Sequence, residues 1–390
     1  MDQVILWSLI LGLVLATSVP LLLRGKTGQE TGLEVTQLYV YPVKGIRGCA
    51  LDKARLGPFG FEGDRTFCLQ KVRRDADSNI NYATLLIGYE LKLALFQASI
   101  DYDKSEVAIK WNTNNNEDII HFPLKPSLEG RPIIEASLHA SNTKAYDMGD
   151  NLAGWFSDRI GHEVRLVYIG DGSRAVHGSV APHSSDALQK SSFTQRMKNS
   201  IPFLAHEPER LAFNDIAHYL VVTEESNNEL SSRLSEGYSM DITKFRPNIV
   251  VRGASAPFAE DYWGELSFSS GVRMALTANC FRCQSITVDY ETGKTATDER
   301  GLVWKKLNKD RRVDKGAKYS PVFGRYGFCY GDDTSKSLSI GQRVDVTKIN
   351  KQRTTFGEFC ESVTAGNLLT EQTGRVLVLL AFLKRHTPKK

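Results

Sequence analysis

Apolar and polar positions divide the chain into one unbroken hydrophobic block followed by many short alternating runs. Residues 4–23 hold no charged side chain and are rich in Leu, Val and Ile, the length needed to cross ~30 Å of hydrocarbon. The block therefore predicts a transmembrane anchor. Asp2 precedes it and Arg24 and Lys26 follow, so the positive-inside tendency puts the body of the protein in the cytosol. A cleaved signal peptide is the alternative, but it would bring a positive n-region and a shorter apolar core.

Beyond a polar, Gly-containing spacer, residues 33–41 alternate apolar and polar and stop at Pro42, as a strand does. Further strands are expected at 93–100, 106–111 and 119–124, separated by polar turns. Asp150 is expected to cap a helix that carries Leu152, Trp155, Phe156 and Ile160 on one face and closes at Gly161. Residues 171–206 turn polar and Ser-rich, with Pro182 and Pro202 inside, and read as a long inserted loop. Its His177, His183 and His206 lack metal spacing. A strand at 218–222, a helix capped by Thr223, a strand at 246–251, a hairpin around Ser269, Ser270 and Gly271, a strand after Cys283 and a last one at 342–346 complete the pattern. Short strands at regular spacing predict an α+β, mostly antiparallel chain with a barrel. Its parts are an anchor at 4–23, a β-rich unit at 33–170, the insert at 171–206, a barrel unit at 207–349 and a tail at 350–390. Residues 376–383 are apolar but too short to span a bilayer, and the basic end at 386–390 reads as a fraying helix.

Composition changes this picture little. A chain of 390 residues, 41% hydrophobic and 24% charged, is long enough for two real cores. The net charge of +4 is too mild, and too mixed in sign, to argue for nucleic acid. Six scattered cysteines make no disulfide framework, which implies a reducing compartment.

Candidate chemistry concentrates in residues 244–293, where Arg246-Pro247-Asn248 leads into an acidic, aromatic loop and then into Cys280-Phe281-Arg282-Cys283. Structural zinc would need a second ligand pair, and the other cysteines stand alone. A redox dithiol would need a strand-to-helix junction. What remains is one soft sulfur ligand beside basic and polar groups, suited to a thiophilic metal that brings most of its own ligands. Elsewhere Lys44 ends a strand next to Gly45 and Gly48, which would let backbone N–H groups approach an anion. Arg65 opens a strand whose other residues look buried.

These segments resemble a known family. Arg-Pro-Asn, the acidic Trp segment and the cysteine followed by Thr-Val-Asp are similar to the MOSC domain. YPVKG and GFEGDR resemble the N-terminal domain that precedes it, and YSPVFGRY at 319–326 resembles its closing motif. The resemblance runs from about residue 37 to 347 and is nearest to the membrane-anchored mitochondrial amidoxime-reducing components. It implies a molybdenum-molybdopterin cofactor with Cys283 as metal ligand. It places Lys44, Gly45, Arg65, Asn214, Asp215, Ile216, Arg246, Asn248, Phe281, Arg282, Cys283 and Tyr326 around that cofactor, with Cys283, Asn248 and Asp215 closest to the chemistry. Forked guanidinium donors suit the pterin's phosphate. Two departures stand out: Gly45 replaces a Ser, and Ile216-Ala217-His218 replaces Thr-Ser-Pro. The resemblance further implies reduction of N-hydroxylated compounds such as amidoximes and hydroxylamines. Electrons would come from cytochrome b5 and its NADH-dependent reductase, at the mitochondrial outer membrane facing the cytosol or at the endoplasmic reticulum. The alternatives are a sulfur-handling protein like the MOSC part of molybdenum-cofactor sulfurases, and a membrane-tethered binding protein without catalysis.

Overall fold

Leu33 and Val35 are buried and so are Leu38 and Val40, a change of parity within one strand. The computed structural model explains it. A register shift between Val35 and Gln37 in the pairing of Glu30–Val40 with Ile249–Arg252 inserts one residue, so the buried face passes from odd to even positions. The structure describes residues 30–356 except 114–115, 140, 177–179, 183–207 and 332–333. The anchor expected at 4–23, the three insert histidines and the segments at 376–390 lie outside the described residues. Among the described residues no helix is long and apolar enough to cross a membrane.

The protein is mostly β, with barrel-like sheets and few helices. One sheet runs Ile249–Arg252, Tyr219–Thr223, Val322–Cys329, Arg273–Phe281, Trp263–Phe268, Arg343–Ile349, Glu30–Val40, with Cys49–Leu51 added beyond. Because Glu30–Val40 also pairs with Ile249–Arg252, the sheet closes on itself. Only the Tyr219–Thr223 and Ile249–Arg252 pair is parallel within it. Val35, Val221, Ile249, Trp263, Leu266 and Val344 fill its inside. The alternate residues Leu220, Val222 and Val250 face Leu230 of the helix Glu224–Ser232 and Val303 and Leu307 of the helix Val303–Asn308, the two-faced burial that closure produces.

A second core gathers the five-stranded sheet containing Phe67–Arg74, the three-stranded sheet Phe96–Asp101, Glu106–Thr113 and Asn116–Pro123, and the helix Asp150–Ile160. Aromatic edges knit it: Phe67 meets Phe122 at 5.0 Å, and Phe96 meets Phe156 at 5.3 Å. Residues 41–48 dip from the barrel into this unit, burying Val43 and Ile46 in its core, and return to the sheet at Cys49–Leu51. There Lys44 N donates to Phe67 O at 2.8 Å and Arg65 N to Tyr41 O at 2.7 Å.

Four local expectations need correction. Residues 93–100 are not one strand, because a 3-10 turn occupies Leu91–Leu95 before the strand Phe96–Asp101. Arg246 does not open a strand but ends the 3-10 turn Ile242–Phe245 in left-handed geometry, and pairing begins at Ile249. Gln284–Thr287 is a 3-10 turn despite its alternating side chains. The cap of the 150–160 helix is Gly149, while Asp150 lies in its first turn and pairs with Arg165 at 2.7 Å. The insert also holds order: Arg174–Ala175 pairs with Arg210–Leu211. Thr223, by contrast, caps its helix as its hydroxyl predicts, accepting from Ser226 N at 3.1 Å.

Candidate functional site

Two arginines with left-handed backbones meet where the two units join, Arg65 at φ 50° and Arg246 at φ 55°. Non-glycine residues hold this geometry only where the surroundings over-determine it. Arg65 does so through three contacts: Asp64 at 2.5 Å, Asn248 Oδ1 at 2.9 Å and the carbonyl of Arg246 at 3.2 Å. Arg246 donates to Ile46 O at 2.6 Å. Both guanidinium groups lie against one ring, that of Tyr41, at 4.6 Å and 4.5 Å, a cation–π arrangement that eases their mutual repulsion. Tyr41 is 2% exposed and its hydroxyl has no partner. A cavity of about 170 Å³ opens between Tyr39, Tyr41, Arg47 and Tyr290. Cys283 is not among its lining residues, so the thiol rather than the hollow locates any metal chemistry.

Lys44 is buried and bonds Asp215 Oδ1. His139 Nε2 stands 3.2 Å from the same oxygen. Asp215 remains half-exposed. Burial opposes its ionisation, yet the charge of Lys44 and the His139 contact outweigh it and hold the carboxyl well below its usual range. Lys44 is pulled the other way: burial lowers it, although Asp215 resists. Arg174, 1% exposed, fastens this corner by donating to Ala212 O at 2.8 Å, to Leu138 O at 3.0 Å and to Asn214 O. Asn214 donates to Phe59 O at 3.1 Å and leaves its Oδ1 buried and unpaired.

On the other side, Arg282 Nη1 reaches Cys280 Sγ at 2.8 Å and Nη2 reaches Phe245 O at 2.9 Å. Cys280 is buried, and burial raises its pKa against the lowering effect of Arg282. Cys283 is exposed, 3.0 Å from Ser285 Oγ. A Cβ placed on Gly88 would sit 3.7 Å from its sulfur, so the turn at 88 forms one wall beside the thiol. Burial holds the Tyr326 hydroxyl well above its ordinary value, and Cys280 and Asp215 add to the shift.

The structure thus gathers Arg65, Arg246 and Asn248 into one hydrogen-bonded group and Lys44 with Asp215 into a second whose charges act on the first, with Arg282, Cys280 and Tyr326 nearby. Asn248 is 1% exposed and its amide is already engaged: Oδ1 accepts from Leu220 N at 3.1 Å as well as from Arg65, and Nδ2 donates to Tyr39 O at 3.3 Å. Phe281 turns its ring to Phe356, 5.2 Å away. Ile216 is half-buried. Gly45 sits at φ +85° with Leu93 Cδ1 2.8 Å from any added Cβ, so a side chain here would strain the backbone and displace Leu93. His139 and Arg174 were missed because they lie outside the recognisable motifs, and Tyr41, which opens the YPVKG segment, because nothing in that segment shows that its ring backs two arginines.

The donor set favours an anion. Lys44, Arg65, Arg174, Arg246 and Arg282 converge here, and the carboxylates they meet directly among the described residues are Asp64 and Asp215. The buried atoms Arg282 Nε, Asn214 Oδ1 and Tyr41 Oη are left without partners, as groups awaiting a polar ligand are. Among the described residues no three His, Cys, Asp or Glu side chains cluster as metal ligands, so a metal at Cys283 would bring its remaining ligands with it. An anionic, metal-bearing cofactor fits these residues.

Residues 32–163 match the model of the MOSC N-terminal beta barrel domain and residues 208–345 that of the MOSC domain. Among similar proteins, molybdenum cofactor sulfurase of Bos taurus is 28% identical over 72% of this chain and 29% of its own length. Mitochondrial amidoxime-reducing component 1 of Mus musculus is 25% identical over 78% of this chain and 79% of its own. Mitochondrial amidoxime reducing component 2 of Bos taurus is 25% identical over 82% and 86%. The chain spans about a third of the length of the sulfurases it matches, 29% and 32% for the bovine and human proteins.

Proposed function

From the premise that this chain is a MOSC protein, carrying a MOSC N-terminal beta barrel domain followed by a MOSC domain, we propose that it is a molybdenum-cofactor oxidoreductase. Its substrates are N-hydroxylated compounds such as amidoximes and hydroxylamines, which it reduces to the parent base. The observation that carries the reading is an exposed Cys283 thiol beside a cradle of cations drawn from both units. Cys283 would hold the metal. Arg65, Arg246 and Arg282, supported by Lys44 and Arg174, would hold the anionic part of the cofactor. When bound, the cofactor supplies the two-electron redox step, and the protein supplies position and exclusion of competing chemistry. Ser285 Oγ at 3.0 Å orients the thiol, and the Gly88 turn shields it on one side.

The electron donor in this reading is a small one-electron haem protein of the cytochrome b5 type, with its NADH-dependent reductase. The site of action is a membrane surface to which residues 4–23 tether the chain, the mitochondrial outer membrane first. The similarity to molybdenum cofactor sulfurases favours a second reading, in which the domain binds cofactor for sulfur handling.

The test expresses the full chain in a host that makes the cofactor and measures bound molybdenum. Wild type is expected near one metal per chain, and Cys283→Ala at less than a tenth of that. Equal metal in both would refute the ligand assignment. Metal-loaded wild type with a viologen reductant should convert an aromatic amidoxime to the amidine; loaded protein that never does so supports the second reading.

A further inference from the structure

We propose that residues 302–321 form the docking face for the electron donor, a small one-electron haem protein whose haem edge carries carboxylates. The proposal rests on the reductase reading and deepens it by giving the partner a place on this chain.

Positive charge is concentrated in this segment. It holds seven Lys and Arg against two Asp, a net of +5, whereas the whole chain carries +4, so the remainder is close to neutral. Both acids are already engaged: Asp314 is 2% exposed and accepts from Asn279 at 2.7 Å, and Asp310 pairs with Arg233 at 2.6 Å. Two of the cations are engaged as well, Arg311 with Asp261 at 2.7 Å and Lys306 with Glu299 at 2.6 Å. The other five, Lys305, Lys309, Arg312, Lys315 and Lys318, are exposed, and none meets a carboxylate among the described residues.

Local structure turns these charges outward. In the helix Val303–Asn308 the buried residues are Val303 and Leu307, one turn apart. Lys305 and Lys309 follow the same spacing on the opposite side. The 3-10 turn Lys315–Ala317 buries Ala317 and aligns Lys315 with Lys318, three residues on.

The face lies against the turn that bears the thiol. Val303 and Leu307 share a core with Ile286 of the turn Gln284–Thr287, which Cys283 precedes. Trp304 Nε1 donates to Arg282 O at 2.9 Å, and Arg282 N donates to Pro321 O at 2.8 Å. The two ends of the segment thus hold both backbone groups of the residue next to the exposed Cys283. Leu302 is 45% exposed and Tyr319 is 51% exposed, large side chains that give contact area within a charged rim. Surrounding cations speed encounter with an acidic partner and orient it. An anionic lipid surface would call for an apolar helix face beneath the charges, and here that face is spent on the core.

Each encounter delivers one electron as the haem iron passes from ferrous to ferric. Two encounters, with two protons from water, supply what converts R–NH–OH to R–NH2 and water.

The test pairs Lys305→Glu/Lys309→Glu with a control of equal charge change on other strands, Lys53→Glu/Lys348→Glu, each full-length and loaded with cofactor. Molybdenum content and melting midpoint should match wild type in both. With reduced cytochrome b5 as donor and an aromatic amidoxime as acceptor, KM for the carrier should rise about tenfold in the first variant at low salt and stay within twofold in the control. The difference should vanish near 1 M salt, where charges are screened beyond ~3 Å. Amidating the carrier's carboxylates should reproduce the rise with wild type, and viologen-driven kcat should stay within twofold throughout. Equal KM for the carrier in the two variants would overturn the docking face and leave the reductase reading standing. So would a first variant that keeps that KM but no longer binds anionic phospholipid vesicles. A loaded wild type that reduces no N-hydroxylated compound, yet binds oxidised cytochrome b5 with this charge dependence, would overturn the reductase reading and not the face.

Discussion

At the scale of single residues, the side chain that ties the site together is Asn248. Its three partners lie 28, 183 and 209 residues away in the chain, so one amide joins two barrel strands to the arginine from the other unit. Truncating it would leave a buried backbone N–H and a guanidinium each short of an acceptor, at about 1–3 kcal/mol apiece. Asn248→Ala is therefore expected to lose about 3 kcal/mol of stability in urea unfolding and to loosen Arg65, lowering molybdenum content as well. A variant as stable as wild type would show that the amide is dispensable to the join. The sequence presented Arg246-Pro247-Asn248 as a motif, and residue types alone pointed to an anion. That Asn248 spends itself on protein contacts was not legible, because hydrogen-bond partners at such separations leave no local trace. The same holds for the left-handed Arg65 and Arg246, whose geometry is imposed by Tyr41, Asp64 and the crossing backbone.

Among elements, those with a strong period were legible and those without were not. Leu33 to Val40 and the helix Asp150–Ile160 announce themselves by alternation and by a one-sided stripe. The 3-10 turn Leu91–Leu95 carries apolar residues at strand-like spacing, and Gln284–Thr287 sets Ile286 two positions before Val288 as a strand would, so local pattern did not reveal either turn. The helix Glu224–Ser232 shows how a cap gains a second role. Ser226, whose N–H is capped by Thr223, places its hydroxyl 2.7 Å and 2.9 Å from the two oxygens of Glu260, which is fully buried. Burial raises the Glu260 carboxyl to about 7. The folded chain then keeps a proton that the unfolded chain releases, so stability falls as pH rises from the ordinary carboxylate range to about 7, by up to ~3 kcal/mol. Glu260→Gln removes that titration. Between about pH 4 and about pH 8 the variant's unfolding free energy should gain ~3 kcal/mol relative to wild type, with no further change above. A constant difference across that range would mean that Glu260 is ionised in the folded protein.

Across the whole molecule, barrel closure and the end of the chain were beyond the reach of local pattern. Glu30–Val40 closes the sheet against a strand more than two hundred positions later, and its register depends on a bulge. Family likeness stops near residue 347, yet the chain beyond it is packed. Arg353 Nε reaches Asp261 at 2.7 Å, Thr354 O takes Asn279 at 2.8 Å, and Phe356 N meets Asp314 at 2.9 Å. Gly316 has no room for a Cβ because Phe356 O would lie 1.5 Å from it. Beneath these contacts Arg325, fully buried, bonds Asn279 at 2.6 Å, and burial lowers it to about 10. A chain ending at Asn350 loses the contacts that Arg353, Thr354 and Phe356 make with Asp261, Asn279 and Asp314, while Asn279 and Asp314 keep each other at 2.7 Å; a chain ending at Phe356 keeps all of them. The three lost hydrogen bonds are worth about 1 kcal/mol each, so the shorter chain should melt several degrees below the longer one. The ring of Phe356 also backs Phe281, next to Arg282 and Cys283. The shorter chain should therefore bind less molybdenum even at temperatures where it remains folded. Equal metal content in the two would confine residues 351–356 to stability alone.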